Sequence, residues 1–448
     1  MEPKYTPELL RKPTSILPQR FADLKSEIVV ADNKELKERL VTSWNRLLVR
    51  LKEAHEEIKR DGSNIIPQID FSELKNLSFS DIERIKQRGS VVIRNVVDQS
   101  QATAWKKELE EFVKVNPVEG VPEEDKQFFQ LYWTKPQIQA RAHPNVLQLG
   151  VWLNNLYHVN SEGPGDTTAA GGRLEGVDLS SPLSYADRFR IRHPGVQWNA
   201  HPPHIDGGGI ERWEEPQFRS CYKDILNGEW EKHDPYELTG RLDARISLYS
   251  RPNQASVFRT FQGWLALSET APTQGTLKVF PNVLLSNSYL ILRPFFRLKK
   301  DVKSDQELDA ESWEFDTSSS EFPGIFARDD GYFGPRLTPD THPHLRLEEN
   351  MTSVPAVKPG DMVFWHCDVV HSVEQEHKGN EDSAVMYIPA VPLTPQNLEY
   401  IQRQKDSFLN GAVPPDFPKG AGEAEFTGVG KESDILGEAG RKAMGLAY

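Results

Sequence analysis

The sequence predicts an α+β protein, with a helical N-terminal part followed by a β-rich, cavity-bearing part broken by long insertions. Three observations predict it. Leu36, Leu40, Trp44, Leu47, Leu48 and Leu51 recur at helical spacing. From about residue 185 the texture changes to short β-type runs punctuated by Gly and Pro. The aromatic complement of 10 Trp, 12 Tyr and 21 Phe suits a β-fold built around a cavity.

The elements follow in order. Residues 1–20 are Pro-rich and polar and read as an extended arm. Residues 21–60 read as an amphipathic helix, ended by Pro67 and the Asp-Phe-Ser segment after it. Asp81-Ile-Glu-Arg-Ile-Lys86 is a short helix, Gly89–Arg94 a strand and Gln99–Val115 a second amphipathic helix. Strands are then expected at Arg188–His193, Val196–His201, Ala244–Tyr249, Val257–Ser268, Thr276–Pro281, Met362–His366 and Ala384–Val391. Two long polar segments, near 207–243 and 284–350, interrupt them, and their length reads as functional or lid-like. The tail from residue 410 is rich in Gly, Glu, Lys and Ala and reads as a partly mobile extension with a short helix at best. The expected organisation is a helical region over 1–88 packed on the barrel, a β domain over 89–400 and a C-terminal extension over 401–448.

Composition narrows the function classes. Of 448 residues 38% are hydrophobic and 27% charged, enough for a sizeable core. The formal charge of −13 argues against nucleic acid or an anionic membrane as partner, since both need a basic footprint. No apolar run approaches a membrane span, and Met-Glu-Pro-Lys-Tyr lacks a signal pattern, so a cytoplasmic protein is expected. With only Cys221 and Cys367, neither a disulfide framework nor a cysteine zinc site can be built.

Two segments carry the chemistry. His201-Pro-Pro-His204-Ile205-Asp206 contains a His-x-Asp, and Pro359-Gly-Asp361 feeds an apolar strand that leads to His371-Ser372. Two imidazoles and one carboxylate form the three-ligand face that holds non-haem Fe(II) and leaves positions open for a co-substrate and O₂. A second His-x-Asp, His366-Cys367-Asp368, competes for the role. Position decides between them. A distal His must come from a later strand, and after Asp368 only His371 and His377 remain, both too close. The expected metal ligands are therefore His204, Asp206 and His371. His201 is the rival ligand and is assigned to the loop or to hydrogen bonding around the site. His366 is read as a strand residue nearby, and Tyr387 as lining the cavity or packing in the β-core. Gly207-Gly-Gly209 would let the backbone pass close to a ligand.

The surrounding motifs resemble a known family. Gly89-Ser-Val-Val-Ile-Arg-Asn-Val-Val and the helix ending at Phe112 resemble the entry of the phytanoyl-CoA dioxygenase superfamily. Gly263-Trp-Leu-Ala-Leu-Ser-Glu-Thr-Ala-Pro-Thr-Gln-Gly-Thr-Leu-Lys-Val-Phe-Pro281 is similar to its central stretch. With Leu17-Pro-Gln-Arg-Phe, Tyr132-Trp-Thr-Lys-Pro-Gln and Tyr387-Ile-Pro-Ala, residues 15–405 resemble the oxygenase-like family typified by bacterial YbiU. The resemblance implies a double-stranded β-helix (a jelly roll), Fe(II) and 2-oxoglutarate as cofactors, and oxidation of a C–H bond by hydroxylation or ring closure. It implies that Trp264 contacts the co-substrate. The superfamily holds the distal carboxylate of 2-oxoglutarate with an Arg about a strand after the distal His, but Glu381-Asp-Ser-Ala-Val385 carries none. A bidentate guanidinium is still the favoured partner. Arg259 is the first choice, ahead of Lys278, Arg190 and Arg245. Tyr132, Trp133, Gln137 and Arg141 are candidates for the substrate side or for packing of the N-terminal region. The substrate is expected to be a small, acidic or amino-acid-like molecule. The alternatives are a cupin-like isomerase or hydrolase, which the missing Arg favours, and a non-catalytic binding protein.

Overall fold

The computed structural model describes residues 17–30, 33–159, 175–251, 253–328 and 331–447. Most of the expected N-terminal arm lies outside the described residues. The apolar stripe does form a helix, Lys34–Asp61, whose Asn33 cap accepts from the Leu36 N–H. It stops at Gly62, where φ reaches 52°. The single helix expected over 21–60 is instead two. Arg20–Ile28 precedes the long one, and a turn with Val30 at φ 45° separates them. Trp44 stacks on Phe296 at 4.3 Å and on Tyr289 at 5.2 Å. The long helix therefore packs on the second insertion, through a helix, Val283–Leu292, that is buried all round.

The fold is mixed α+β with several sheets. The largest has eight strands in the order β1 (Gln68–Asp70), β2 (Ser90–Arg94), β14 (Met362–His366), β7 (Phe261–Ala266), β16 (Ser383–Tyr387), β6 (Phe189–Arg192), β4 (Phe128–Phe129) and β3 (Gly120–Val121). A three-stranded sheet runs β13 (Thr352–Ser353), β8 (Leu277–Val279) and β15 (His371–Val373). Pairs of strands complete the set: β5 (Asp178–Leu183) with β17 (Val391–Leu393), β9 (Phe296–Leu298) with β10 (Trp313–Phe315), and β11 (Phe326–Arg328) with β12 (Gly331–Phe333). The turn before β14 forms as its residues demand. Gly360 sits at φ 93°, and a Cβ there would lie 2.0 Å from the Val97 carbonyl. Asp361 accepts from the Lys358 and Asn95 N–H groups, each at 2.9 Å.

Two expected strands are absent. Val196–His201 follows a Pro194-Gly195 turn and makes isolated backbone bonds, such as Trp198 N–H to the Gln375 carbonyl at 2.7 Å. Around Ala244–Tyr249 side-chain carboxylates take the place of a ladder. The Arg245 N–H goes to Glu215 and the Leu248 N–H to Glu211. The expected run Ala384–Val391 is divided between β16 and β17. The insertions are folded into the core, and the first also lines the cavity beside Asp206. The first folds into short helices around buried Trp213, Tyr222, Trp230 and Tyr236, and the second contributes buried Tyr289, Phe295 and Phe296. Alternation is not needed where both faces are covered, so these segments read as polar loops in sequence yet are core in space.

The C-terminal segment is docked rather than loose. After the helix Pro395–Leu409 it reaches Glu423, which is 2% exposed and accepts from the Tyr132 N–H at 2.7 Å and the Trp133 N–H at 3.1 Å. Burial pushes this carboxyl up to about 7. A second helix, Gly437–Ala443, follows. Among the described residues, no helix is long and apolar enough to cross a membrane.

Candidate metal centre

The chain before the first insertion and strand β15 meet at two histidines. The His204 N–H donates to the His371 carbonyl and the His371 N–H to the His204 carbonyl, both at 2.9 Å. Such a reciprocal pair sets the two side chains on one face, and the rings lie 4.2 Å apart. Each ring is turned by its own backbone. His204 Nδ1 lies 2.6 Å from the Pro202 carbonyl, and His371 Nδ1 lies 3.0 Å from the Val369 carbonyl. A carbonyl only accepts, so both Nδ1 atoms carry the proton and both Nε2 atoms present a lone pair. Asp206 stands between them, with Oδ1 3.6 Å from His204 Nε2 and Oδ2 3.4 Å from His371 Nε2. Ligands about 2.1 Å from one ion and at right angles stand about 3 Å apart. The donor set and its spacing therefore fit a divalent cation. Burial, then the nearby Arg336 guanidinium and His371, hold the His204 imidazole neutral well below its usual range. The histidines are buried, while the Asp206 carboxylate is 42% exposed.

The large sheet contributes the opposite wall. With its amide in the orientation that satisfies both neighbours, Gln262 on β7 donates to Asp206 Oδ2 at 2.8 Å and accepts from Trp365 Nε1 at 3.2 Å. Trp365 lies 5.2 Å from the His371 ring. In-register pairing places Gln262 opposite Trp365, Trp264 opposite Val363 and Tyr387, and Arg190 opposite Val385. Residues two apart share a face, so Trp264, Tyr387 and Arg190 point the same way as Gln262. Arg190 is 1% exposed; its Nη2 donates to the Gly275 carbonyl at 3.3 Å, and among the described residues its Nε and Nη1 have no partner. Arg336 pairs with His204 on the side away from His371, and among the described residues its Nε and Nη1 are also without partners.

The competing His-x-Asp is a brace. Asp368 Oδ1 accepts from Arg212 at 2.6 Å and Oδ2 from Arg241 at 2.7 Å. His366 spends both ring nitrogens, Nε2 on the Pro235 carbonyl and Nδ1 on the Asp368 N–H, each at 3.0 Å. The imidazole keeps no free lone pair, and the carboxylate is already neutralised by two guanidiniums. Arg212 also donates to the Asp206 carbonyl at 3.0 Å, so the second motif anchors the backbone of the first. Replacing Asp368 by Ala leaves two buried guanidiniums uncompensated and should cost about 3–5 kcal/mol, read from the shift of a urea denaturation midpoint. His366→Ala should keep the metal.

The remaining expected residues divide. Arg259 lines the same cavity as Asp206 and Gln262. Lys278 sits opposite Ser372, one place from the Val279–His371 pair, so strand parity turns it away from the histidines. Arg245 is exposed and faces Glu215 at 3.8 Å. His201 stacks on Trp198 and accepts its Nε1–H on Nδ1 at 2.8 Å, leaving the proton on Nε2, where a ligand would need a lone pair. Tyr132 and Trp133 pack on Phe417 and Phe408 of the C-terminal segment. Arg141 donates to the Tyr132 and Asp187 carbonyls, and none of the three lines the Asp206 cavity. Of Gly207-Gly-Gly209 only Gly207 lines that cavity; a Cβ on Gly208 would strike Phe218 at 2.6 Å. Sequence reasoning missed Gln262, Trp365 and Arg336. The first was open to a parity argument, since it lies two before Trp264.

A family model described as Gig2-like matches residues 15–446. The chain belongs to the Gig2-like family. It is 30% identical over 404 residues to the uncharacterized protein YbiU of Escherichia coli K12, covering 87% of each chain. Among solved structures it is similar to GlcNAc Inducible Gene 2 of Candida albicans, at 33% identity and a TM-score of 0.83, over 97% of this chain and 91% of that one. A candidate oxidoreductase of Salmonella typhimurium LT2 aligns at 28% identity and a TM-score of 0.77, over 97% and 99%.

Proposed function

We propose that this Gig2-like protein is an Fe(II)- and 2-oxoglutarate-dependent oxygenase acting on a small molecule, and that its two facing sheets are the walls of a double-stranded β-helix. One observation carries the reading: two imidazoles with their Nδ1 protons pinned to backbone carbonyls, converging with a Gln262-held carboxylate. His204, Asp206 and His371 would hold the iron on one face. Bound there, iron and 2-oxoglutarate together supply the oxidation of a C–H bond by O₂, with succinate and CO₂ as co-products. The chain's own residues bind and orient. Arg190 would receive the distal carboxylate, because a fully buried guanidinium with two free N–H groups is costly until an anion completes it. It stands beside β16, the strand on which that Arg was expected, and Arg336 adds positive charge next to His204. Trp264 and Tyr387 wall the co-substrate, and Gln262 keeps Asp206 turned toward the ion. Trp365 excludes water from the His371 side.

Anaerobic titration tests this. Fe(II) followed by 2-oxoglutarate should produce a weak visible charge-transfer band near about 500 nm. Metal binding without that band would leave a metal-dependent isomerase or hydrolase as the better reading.

A further inference from the structure

A cavity opens beside Asp206. Asp206 and Gln262 form one end. Phe218, Ile246, Val257 and Phe258 supply apolar wall, and Arg259 lies among them.

The charges in the lining are unequal in kind. Arg212 and Arg241 are both bound to Asp368, so that group of three is closed. Asp206 is turned to the two imidazoles. Arg259 is different: among the described residues its guanidinium makes no hydrogen bond or ion pair; it lies over the Tyr185 ring at 5.8 Å, and its charge reaches the carboxylates of Asp206 and Asp416 without contact. A guanidinium in a partly apolar pocket with no carboxylate in hydrogen-bond contact has its donors open to one. The converse also holds. Both carboxylates of the lining are committed, so nothing is free to receive an ammonium group.

We infer that this cavity takes a small aliphatic carboxylate without a free amino group, paired with Arg259 and presenting its hydrocarbon body toward Asp206. The inference rests on the oxygenase reading for what happens to that body, but not for the binding itself. It replaces the amino-acid-like expectation, whose ammonium would find no partner. It also moves Arg259 from the co-substrate to the substrate.

Calorimetry on the Mn(II)-loaded protein saturated with 2-oxoglutarate tests it, because manganese binds such a site without turnover. Hexanoate is the probe, with hexan-1-ol, hexylamine and norleucine as comparisons. Hexanoate should bind at least about tenfold more tightly than the other three. Arg259→Met should weaken hexanoate about ten- to hundredfold, leave hexan-1-ol unchanged and leave 2-oxoglutarate within about twofold. Arg259→Lys should fall between. No binding of hexanoate to the wild type, or tighter binding of hexylamine or norleucine, overturns the inference. So does loss of 2-oxoglutarate affinity in Arg259→Met, which would make Arg259 the co-substrate anchor. If the protein takes up no metal, the oxygenase reading fails on its own, and hexanoate binding to the metal-free protein still decides the inference.

Discussion

His371→Ala and His204→Ala should each lower divalent-metal affinity by well over a hundredfold, beyond the roughly ten- to hundredfold that outer-shell changes cost. The expectation follows from geometry rather than from the motif. The two rings share one face because their backbones exchange a pair of hydrogen bonds at 2.9 Å. Each Nδ1 is spent on a carbonyl, so the only free lone pairs converge on Asp206. Removing either ring leaves two donors, too few to exclude water from an ion that prefers six neighbours. The backbone exchange survives in an alanine variant, so the fold should persist and circular dichroism should be unchanged. Gln262→Ala should cost about tenfold, because the amide only orients Asp206. Equilibrium dialysis against Mn(II) checks all three. Full retention of metal in His371→Ala, together with loss in His366→Ala, would reverse the assignment of the two His-x-Asp motifs.

Arg190→Met should raise the Kd for 2-oxoglutarate about a hundredfold while leaving metal affinity unchanged. A charge-assisted bidentate contact is worth about 1.5–3 kcal/mol, and among the described residues the buried guanidinium is bonded to no other anion. Comparison with 2-oxobutanoate, which has no distal carboxylate, isolates the contact. Wild type and variant should bind it equally weakly. Stability should move the other way. Without the co-substrate, Arg190 is a buried cation with two unpaired N–H groups, so methionine of similar reach should be neutral or stabilising by about 1–4 kcal/mol in a denaturant titration. A variant that binds 2-oxoglutarate as well as wild type would return the anchor to Arg336 or Arg259.

Much of the scaffold could be read along the chain because its signals are local. The stripe from Leu36 to Leu51 became one buried helix face, and Pro359-Gly-Asp361 became the turn that launches β14. The errors arose where burial has no period. The insertions near 207–243 and 284–350 are polar in composition, yet they bury Trp213, Trp230 and Tyr289 against distant elements. The Val196–His201 run had strand residues but no neighbouring ladder, because a Gly turn and two prolines took it out of register. The tail beyond 410 lacked apolar runs and is still held, through one buried carboxylate on two backbone N–H groups.

By itself the sequence determined which residue types were available at the site and in what order. A His-x-Asp followed much later by a lone His leaves His204, Asp206 and His371, since after the competing pair only His371 and His377 remain, both too close in the chain. Only the tertiary structure decided the partnerships. Arg190 meets the site because β6 lies beside β16, and Gln262 because β7 alternates inward at Trp264. Arg212 crosses from Asp368 to the Asp206 backbone, which turns the rival motif into its support. Lys278 is turned away by a single step of parity. The reason is physical: spacing along the chain sets which face a side chain takes within its own element, whereas its partner is set by which strand lies alongside, and that strand is often more than a hundred residues away.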